Sequence, residues 1–265
     1  MAEIERLTKR YSTDLTDEEW ARIEPVLPRP ARTGRRPHVD LRAVMNAIRT
    51  LGRTGCGWRM LPKDVPPWQT VYWWLRRFVR LMLFRTIHNA AVTIDRERAG
   101  RAASPSAGAL DSQTVKAPAA GGSRGYDGAK KTVGRKRHVT VDTDGRLLMV
   151  GLTTADISDS AGAQQILTAL RHRWPWLRTL FADGAYDRGK LMDKAAYLDV
   201  TVEVVRRIDK EPGFKVLPRR WVVERTFASL TRWRRLVRDY EARIDVSEAM
   251  NHVAAGSIML RRISH

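Results

Sequence analysis

Three acidic residues stand where a chain could bring carboxylates together. Asp111 closes the apolar run Gly108–Leu110 and is followed by Ser112; Asp183 closes Leu180–Ala182 and is followed by Gly184. Both positions read as the ends of strands, where open α/β sheets gather side chains and loops into one crevice. Glu224 falls in a helical stretch beside Val223, Phe227 and Leu230, at the edge of their apolar face, so that it leans over a sheet. Carboxylates that converge raise one another's pKa, and a hard divalent cation relieves the repulsion. Magnesium takes oxygen ligands and keeps several waters, so a few carboxylates hold it. Two such ions can activate a water and stabilise the leaving 3′-oxygen of a phosphodiester. Pattern alone leaves the choice open. Asp127, Asp142, Asp156, Asp187 and Asp193 compete, a strand-end Asp often caps a turn, and Glu224 could pair with Arg220 on any surface helix.

The elements that must position these groups fall into two halves. Before residue 105 the signals are helical. Thr16 and Glu19 form a capping box, with Leu15 and Trp20 spaced as a hydrophobic staple, and this helix ends near Pro28. Asp40 caps a second helix carrying Leu41, Val44, Met45 and Ile48, closed by Gly55 and Gly57. A third repeats Val71, Trp74, Leu75, Phe78 and Val79 on one stripe, with helical character continuing to about Arg98. Trp58, Trp68, Trp73 and Trp74 read as core. A small, polar stretch near residue 105 divides helical residues 1–105 from an alternating half, 106–265. There, strands around Asp111, across the Asp144-Gly145 turn, before Asp183 and over 200–208 alternate with helices over 159–174 and 188–198. One long helix over 218–237 and a last one over 245–263 follow. This order predicts a mixed α/β sheet covered by helices.

Lys plus Arg total 48 against 29 Asp plus Glu, a formal charge of +19, and a field of that size favours a polyanion such as DNA or RNA. One cysteine, Cys56, excludes an internal disulfide and a cysteine-based zinc site, and fits a reducing cytoplasm. The N-terminal residues read as no signal peptide, and no membrane span is expected. The histidines show no metal-ligand spacing.

The strings ALDSQTVK, GAKKTVGRKRHVTVDTDG, FADGAYD and RRWVVERTFASLTRWRRL resemble transposases of the bacterial insertion-sequence family five, in the larger family-four group. LTDEEWARIEPVLP, GRRPHVDLRAVMNAIRTLGRTGCGWRMLPKD and PPWQTVYWWLRRF are similar to the helical N-terminal module of those proteins, so the resemblance runs from about residue 15 to 240. It implies a ribonuclease H-like catalytic fold after an all-α, helix-turn-helix-like domain. It also implies a DDE triad of Asp111, Asp183 and Glu224 holding two Mg²⁺ ions, for which Mn²⁺ can substitute. The expected activity is cleavage and strand transfer of double-stranded DNA at terminal inverted repeats and target sites. The expected assembly is a homodimer or higher homo-oligomer, and the expected location is the bacterial cytoplasm and nucleoid. Where the wider group carries a Tyr and a Lys around the Glu string, this chain has Leu217 and Thr231, and Arg225, Arg232 and Arg234 are candidate replacements at phosphates.

Further DNA contacts are expected from Lys116, Arg124, Lys130, Lys131, Arg135, Lys136, Arg137 and His138, in a Gly-rich stretch following Asp111. Arg220 joins them from the Glu224 helix, and Arg35 and Arg36 are candidates for a minor groove. Two other readings remain: a catalytically silent DNA-binding regulator derived from a transposase, and a ribonuclease H-like nuclease acting on RNA or hybrids.

Overall fold

Local signals set the first helix ends. The structure, a computed structural model of the chain, describes residues 11–28, 39–119, 122–205 and 221–264. The Thr16 hydroxyl accepts from the Glu19 amide and the Glu19 carboxylate accepts from the Thr16 amide, starting α1 (Asp17–Ile23) with the predicted box. The Asp40 carboxylate caps α2 (Leu41–Thr54), and Gly55 ends it at φ 71, a left-handed conformation that costs glycine little. α3 (Trp68–Arg80) buries the predicted stripe Val71, Trp74, Leu75, Phe78 and Val79. Helix then breaks at Leu81 and Met82 and resumes as α4 (Leu83–Arg98). Of the tryptophans expected in the core, Trp74 is buried, Trp58 and Trp68 are half-buried, and Trp73 is exposed under Arg77.

The second half forms the expected mixed sheet: β1 (Ala107–Lys116), β2 (Gly125–Asp127), β3 (Thr132–Asp142), β4 (Leu147–Thr154), β5 (Thr179–Ala182) and β6 (Thr201–Val204). The order is β2-β3-β1-β5-β6, with β4 also paired to β3. β1, β3 and β4 are antiparallel neighbours, whereas β5 lies parallel to β1 and β6 parallel to β5. α5 (Asp159–Arg173) and α6 (Gly189–Tyr197) lie between the parallel strands in sequence. This is the ribonuclease H-like arrangement, a meander joined to a parallel pair.

The two faces of the sheet receive different helices. Residues paired across neighbouring strands share a face, and the face alternates along each strand. His138 and its partner Gly151 point to α5: a Cβ on Gly151 would lie 2.4 Å from Ile166, and one on Gly162 of α5 would lie 2.0 Å from the His138 ring. The opposite face is covered by α7 (Trp221–Thr231), which packs on β1 and β3 through Val222, Val223, Phe227 and Leu230. The long helix expected over 218–237 is thus shorter where it is described. It ends at Thr231, followed by a 3-10 turn at Arg234–Leu236, and its first residues lie outside the described residues.

α8 (Ile244–Ser264) is buried on nearly every side. It meets α4 along its length, touches α1, α2 and α3, and also packs on β4, where the Glu248 carboxylate accepts from the Leu152 amide at 3.0 Å. A helix with no wet face joins two surfaces. Here it joins the N-terminal helices to the sheet.

Candidate active site

Asp111 and Asp183 meet on one face of adjacent strands. β1 and β5 pair in parallel through Ala107↔Thr179, Gly108↔Leu180 and Ala109↔Phe181. Asp111 and Asp183 each lie two residues beyond the last pair, so they are level and on the side of Ala109 and Phe181. That side is the one α7 covers, because Asp111 pairs with Val139 and Gln113 with Arg137, and the Arg137 guanidinium reaches the Leu236 carbonyl just past α7. Asp183 follows the end of β5 as expected. Asp111 does not end its strand: β1 runs on to Lys116, because its partner β3 runs equally far. The carboxylate therefore projects from mid-strand at the point where β5 leaves off.

Each aspartate is oriented by its own backbone. Asp111 accepts from the Ser112 amide at 2.7 Å, and Asp183 accepts from the Ala185 amide at 2.9 Å while capping the turn Gly184–Tyr186. Glu224 is exposed on α7. Thr226, two residues on, donates to the Gly145 carbonyl at 2.7 Å, and Arg225 donates to the Asp144 carbonyl, so that flank of α7 holds the β3–β4 turn. At 3.6 residues per turn Glu224 lies about 160° around from Thr226, on the flank away from that turn. Among the described residues no three acidic, histidine or cysteine side chains come close enough to hold one ion. Asp111 and Asp183 are brought together; Glu224 is placed on the covering helix but not gathered with them.

Sequence reasoning passed over the groups behind the aspartates. Tyr186, fully buried, carries its phenol close to the site. Burial, then the charges of Asp111 and Asp159, and after them Asp183, push its pKa well above the usual phenol range; the Ser112 hydroxyl opposes them. The Tyr186 oxygen itself has no hydrogen-bond partner among the described residues. Ser112 donates instead to Asp159 at 2.7 Å, and Lys136 pairs with the same carboxylate at 3.0 Å. The signal was present in the Asp-Ser and Asp-Gly-x-Tyr strings, each of which sets a hydroxyl next to an aspartate.

The basic stretch after Asp111 divides in two. Lys116, Arg124, Lys130 and Lys131 are exposed. Arg135, Lys136, Arg137 and His138 are not, which corrects the expectation that the whole stretch tracks DNA. Arg135 donates to Asp239 at 3.0 Å and to the Glu241 carbonyl at 2.7 Å, and Arg137 to Gln113 at 2.9 Å. Together they bolt residues 236–242 onto the sheet. Burial lowers the Arg137 pKa to about 10, with Asp239 opposing, and lowers the His138 pKa to about 4. Lys136 also pairs with Asp127 at 3.6 Å. Burial disfavours the Asp127 charge, but the Thr114 hydroxyl, the Lys130 amide and Lys136 outweigh it and hold its pKa below the usual range.

Three further DNA candidates, Arg225, Arg232 and Arg234, are exposed, with Arg225 stacked 4.5 Å from the centre of the Trp221 ring. Arg35, Arg36 and Arg220 lie outside the described residues.

Two family models match the chain. Residues 102–259 match the family described as "Transposase DDE domain", and residues 15–88 match the one described as "Putative transposase of IS4/5 family". A curated relative from Burkholderia cepacia, "Putative transposase for insertion sequence element IS402", is 32% identical over 124 residues, covering 44% of this chain. The match spans 58% of that relative's length. A mixed sheet that sets two aspartates level on neighbouring strands, in a segment matching the DDE domain over most of its length, identifies the family: the chain belongs to the DDE transposases of the IS4/5 type.

Proposed function

We propose that this chain is a transposase that binds the terminal inverted repeats of an insertion sequence and cuts and rejoins DNA, with Asp111, Asp183 and Glu224 as its carboxylates. The observation that carries the reading is the β1–β5 register, which levels Asp111 with Asp183 beneath α7. Family membership implies a divalent metal. The donor set suits one, because two carboxylates on a shared face offer the oxygen ligands that Mg²⁺ or Mn²⁺ takes. Asp111 and Asp183 would hold it, with Glu224 completing the shell from α7 and a second ion sharing the site. Bound there, the metal lowers the pKa of a water and stabilises the leaving oxygen of a phosphodiester.

The chain's own groups do the rest. Their backbone hydrogen bonds keep the two aspartates turned to one side. The buried face of α7 keeps Glu224 over the sheet. Lys116, Arg124, Lys130 and Lys131 on one side and Arg225 and Arg234 on α7 and just after it provide phosphate contacts beside the carboxylates. The helical residues 1–105 hold the repeats and residues 106–265 carry the chemistry. Two DNA ends require two copies, so the active form is a homodimer or larger, working at the nucleoid.

Asp111→Asn and Glu224→Gln should each abolish Mg²⁺-dependent cleavage of DNA bearing the element's ends, while leaving affinity for that DNA within about twofold. Cleavage by either variant would remove that residue from the site. The exposed, ungathered Glu224 also favours a second reading, a DNA-binding regulator without catalysis. Wild-type protein that binds the ends and cuts nothing with Mg²⁺ or Mn²⁺ would establish it.

A further inference from the structure

A second place in the molecule is built for anions. Where α2, α7 and α8 come together, a cavity of about 520 Å³ is lined by Arg49, Arg53, Arg232, Arg261 and Arg262, with hydroxyls such as Ser229 between them. No carboxylate appears among its described lining residues. Guanidiniums from three separate elements thus face a shared space with little to neutralise them, an arrangement that repels itself when empty.

The individual residues show the missing charge. Arg232 and Arg261 form no ion pair among the described residues. Arg262 reaches Asp95 only at 3.8 Å. Arg53 donates to the Arg232 carbonyl at 2.9 Å and lies 5.9 Å from the Trp233 ring centre. Arg49 is 4% exposed; one of its nitrogens meets Glu19 at 3.2 Å, and its Nε has no partner. Burial pulls the Arg49 pKa down, Glu19 opposes, and the charge of Arg261 pulls it down further. Arg49 therefore stands in the cavity wall with one donor unpaired, at a cost comparable to a lost hydrogen bond.

We propose that this cavity is a phosphate-binding site that grips the sugar–phosphate backbone of one DNA strand, apart from the carboxylate centre. The assignment of DNA as the source of the phosphates rests on the function proposed above; the oxyanion chemistry of the cavity does not. Arginine forks match phosphate oxygens two by two, and the serine and threonine hydroxyls add donors at the same oxygens. A space of about 520 Å³ has room for the sugar–phosphate backbone of one strand. Because α2 belongs to the N-terminal helices and α7 carries Glu224, a strand held there spans both halves of the protein.

The test is binding of full-length protein to duplex DNA with frayed ends, read by fluorescence anisotropy across a salt series. Each phosphate contact contributes about 0.9 to the slope of log affinity against log salt. Arg232→Gln with Arg261→Gln should lower that slope by between about one and two and weaken binding at least tenfold near 0.1 M salt. Arg80→Gln with Lys194→Gln removes the same charge elsewhere and should leave the slope unchanged. A matched melting temperature shows that the first pair still folds. If wild-type protein binds with a steep slope and the Arg232/Arg261 pair keeps it, the cavity assignment is overturned while the proposed function stands. If wild-type protein shows no salt-dependent DNA binding, the proposed function falls with it. Millimolar inorganic phosphate that raises the melting temperature of wild type but not of the variant, with an unchanged DNA slope, would assign the cavity to a free anion and overturn the strand.

Discussion

Arg135 and Arg137 look like DNA ligands in a sequence dense with Lys and Arg, and the structure turns them inward. Alternation along β3 decides this: Arg135, Arg137 and Val139 share the face beneath α7, and the long side chains lie across it to reach Asp239, Gln113 and backbone carbonyls. Asp239 is 3% exposed and also accepts from the Ser247 hydroxyl at 2.7 Å, so the Arg135–Asp239 pair is buried and tied in place. Removing one partner of such a pair strands the other, at a cost of about 3–5 kcal/mol. Arg135→Gln should therefore lower the urea midpoint sharply and leave the DNA affinity of the remaining folded protein unchanged. A stable variant with weak DNA binding would show instead that Arg135 faces DNA.

At the level of elements, the site depends on how closely α5 lies on the sheet. Gly162 and Gly151 remove side chains from both surfaces, so that the His138 imidazole and the Ile166 methyl fill the space. α5 begins at Asp159, which accepts from Ser112, next to Asp111 in β1, and so the helix also braces the strand that carries the first carboxylate. Gly162→Ala would put a Cβ into the His138 ring, which is fully buried and has nowhere to swing. Overpacking of this kind costs about 1–3 kcal/mol. Equilibrium urea unfolding should register that loss, and unaltered stability would mean that α5 does not seat there. α7 is seated by its own contacts: Thr226 and Arg225 tie one flank to the β3–β4 turn, which leaves the opposite flank to Glu224.

At the scale of the molecule, α8 makes the two halves interdependent. His252 on α8 and His88 on α4 pack as rings 5.2 Å apart, both buried. Burial lowers the His88 pKa to about 4, with Asn89 opposing and Arg173 adding; burial, then His88 and Arg85, lowers that of His252 well below its usual value. His138 is lowered to about 4 as well, by burial first, with Asp159 opposing and Lys136 adding. The unfolded chain, with ordinary histidine pKa values near 6.5, takes up these protons at a higher pH than the folded chain does. Stability is therefore full above about pH 6.5 and falls as pH drops toward about 4, by on the order of 3 kcal/mol each for His88 and His138, and His252 contributes in the same direction. Melting temperature followed from pH 7.5 to 5, above the range where most carboxylates titrate, should decline steadily. A flat profile there would mean that these histidines are not held neutral.

Features that depend on neighbours along the chain are readable from its residues alone. The Thr16–Glu19 box, the Asp40 cap, the stripe from Val71 to Val79 and the Asp144-Gly145 turn are local, and each stands where the residues indicate. The family was legible too, because it is written in short strings such as Asp-Ser and Asp-Gly-x-Tyr. Which groups lie inside emerges from long-range pairing. A single arginine carries no sign of its face until the β1–β3 register is set, since a shift of one residue would exchange Arg135 and Arg137 for Lys136 and His138. In the same way, Asp111 and Asp183 become neighbours through a parallel pairing that joins segments far apart in the chain, and the arginine cavity exists only where α2, α7 and α8 meet. Contacts of that kind follow from packing free energy summed over the whole molecule, which no local pattern contains.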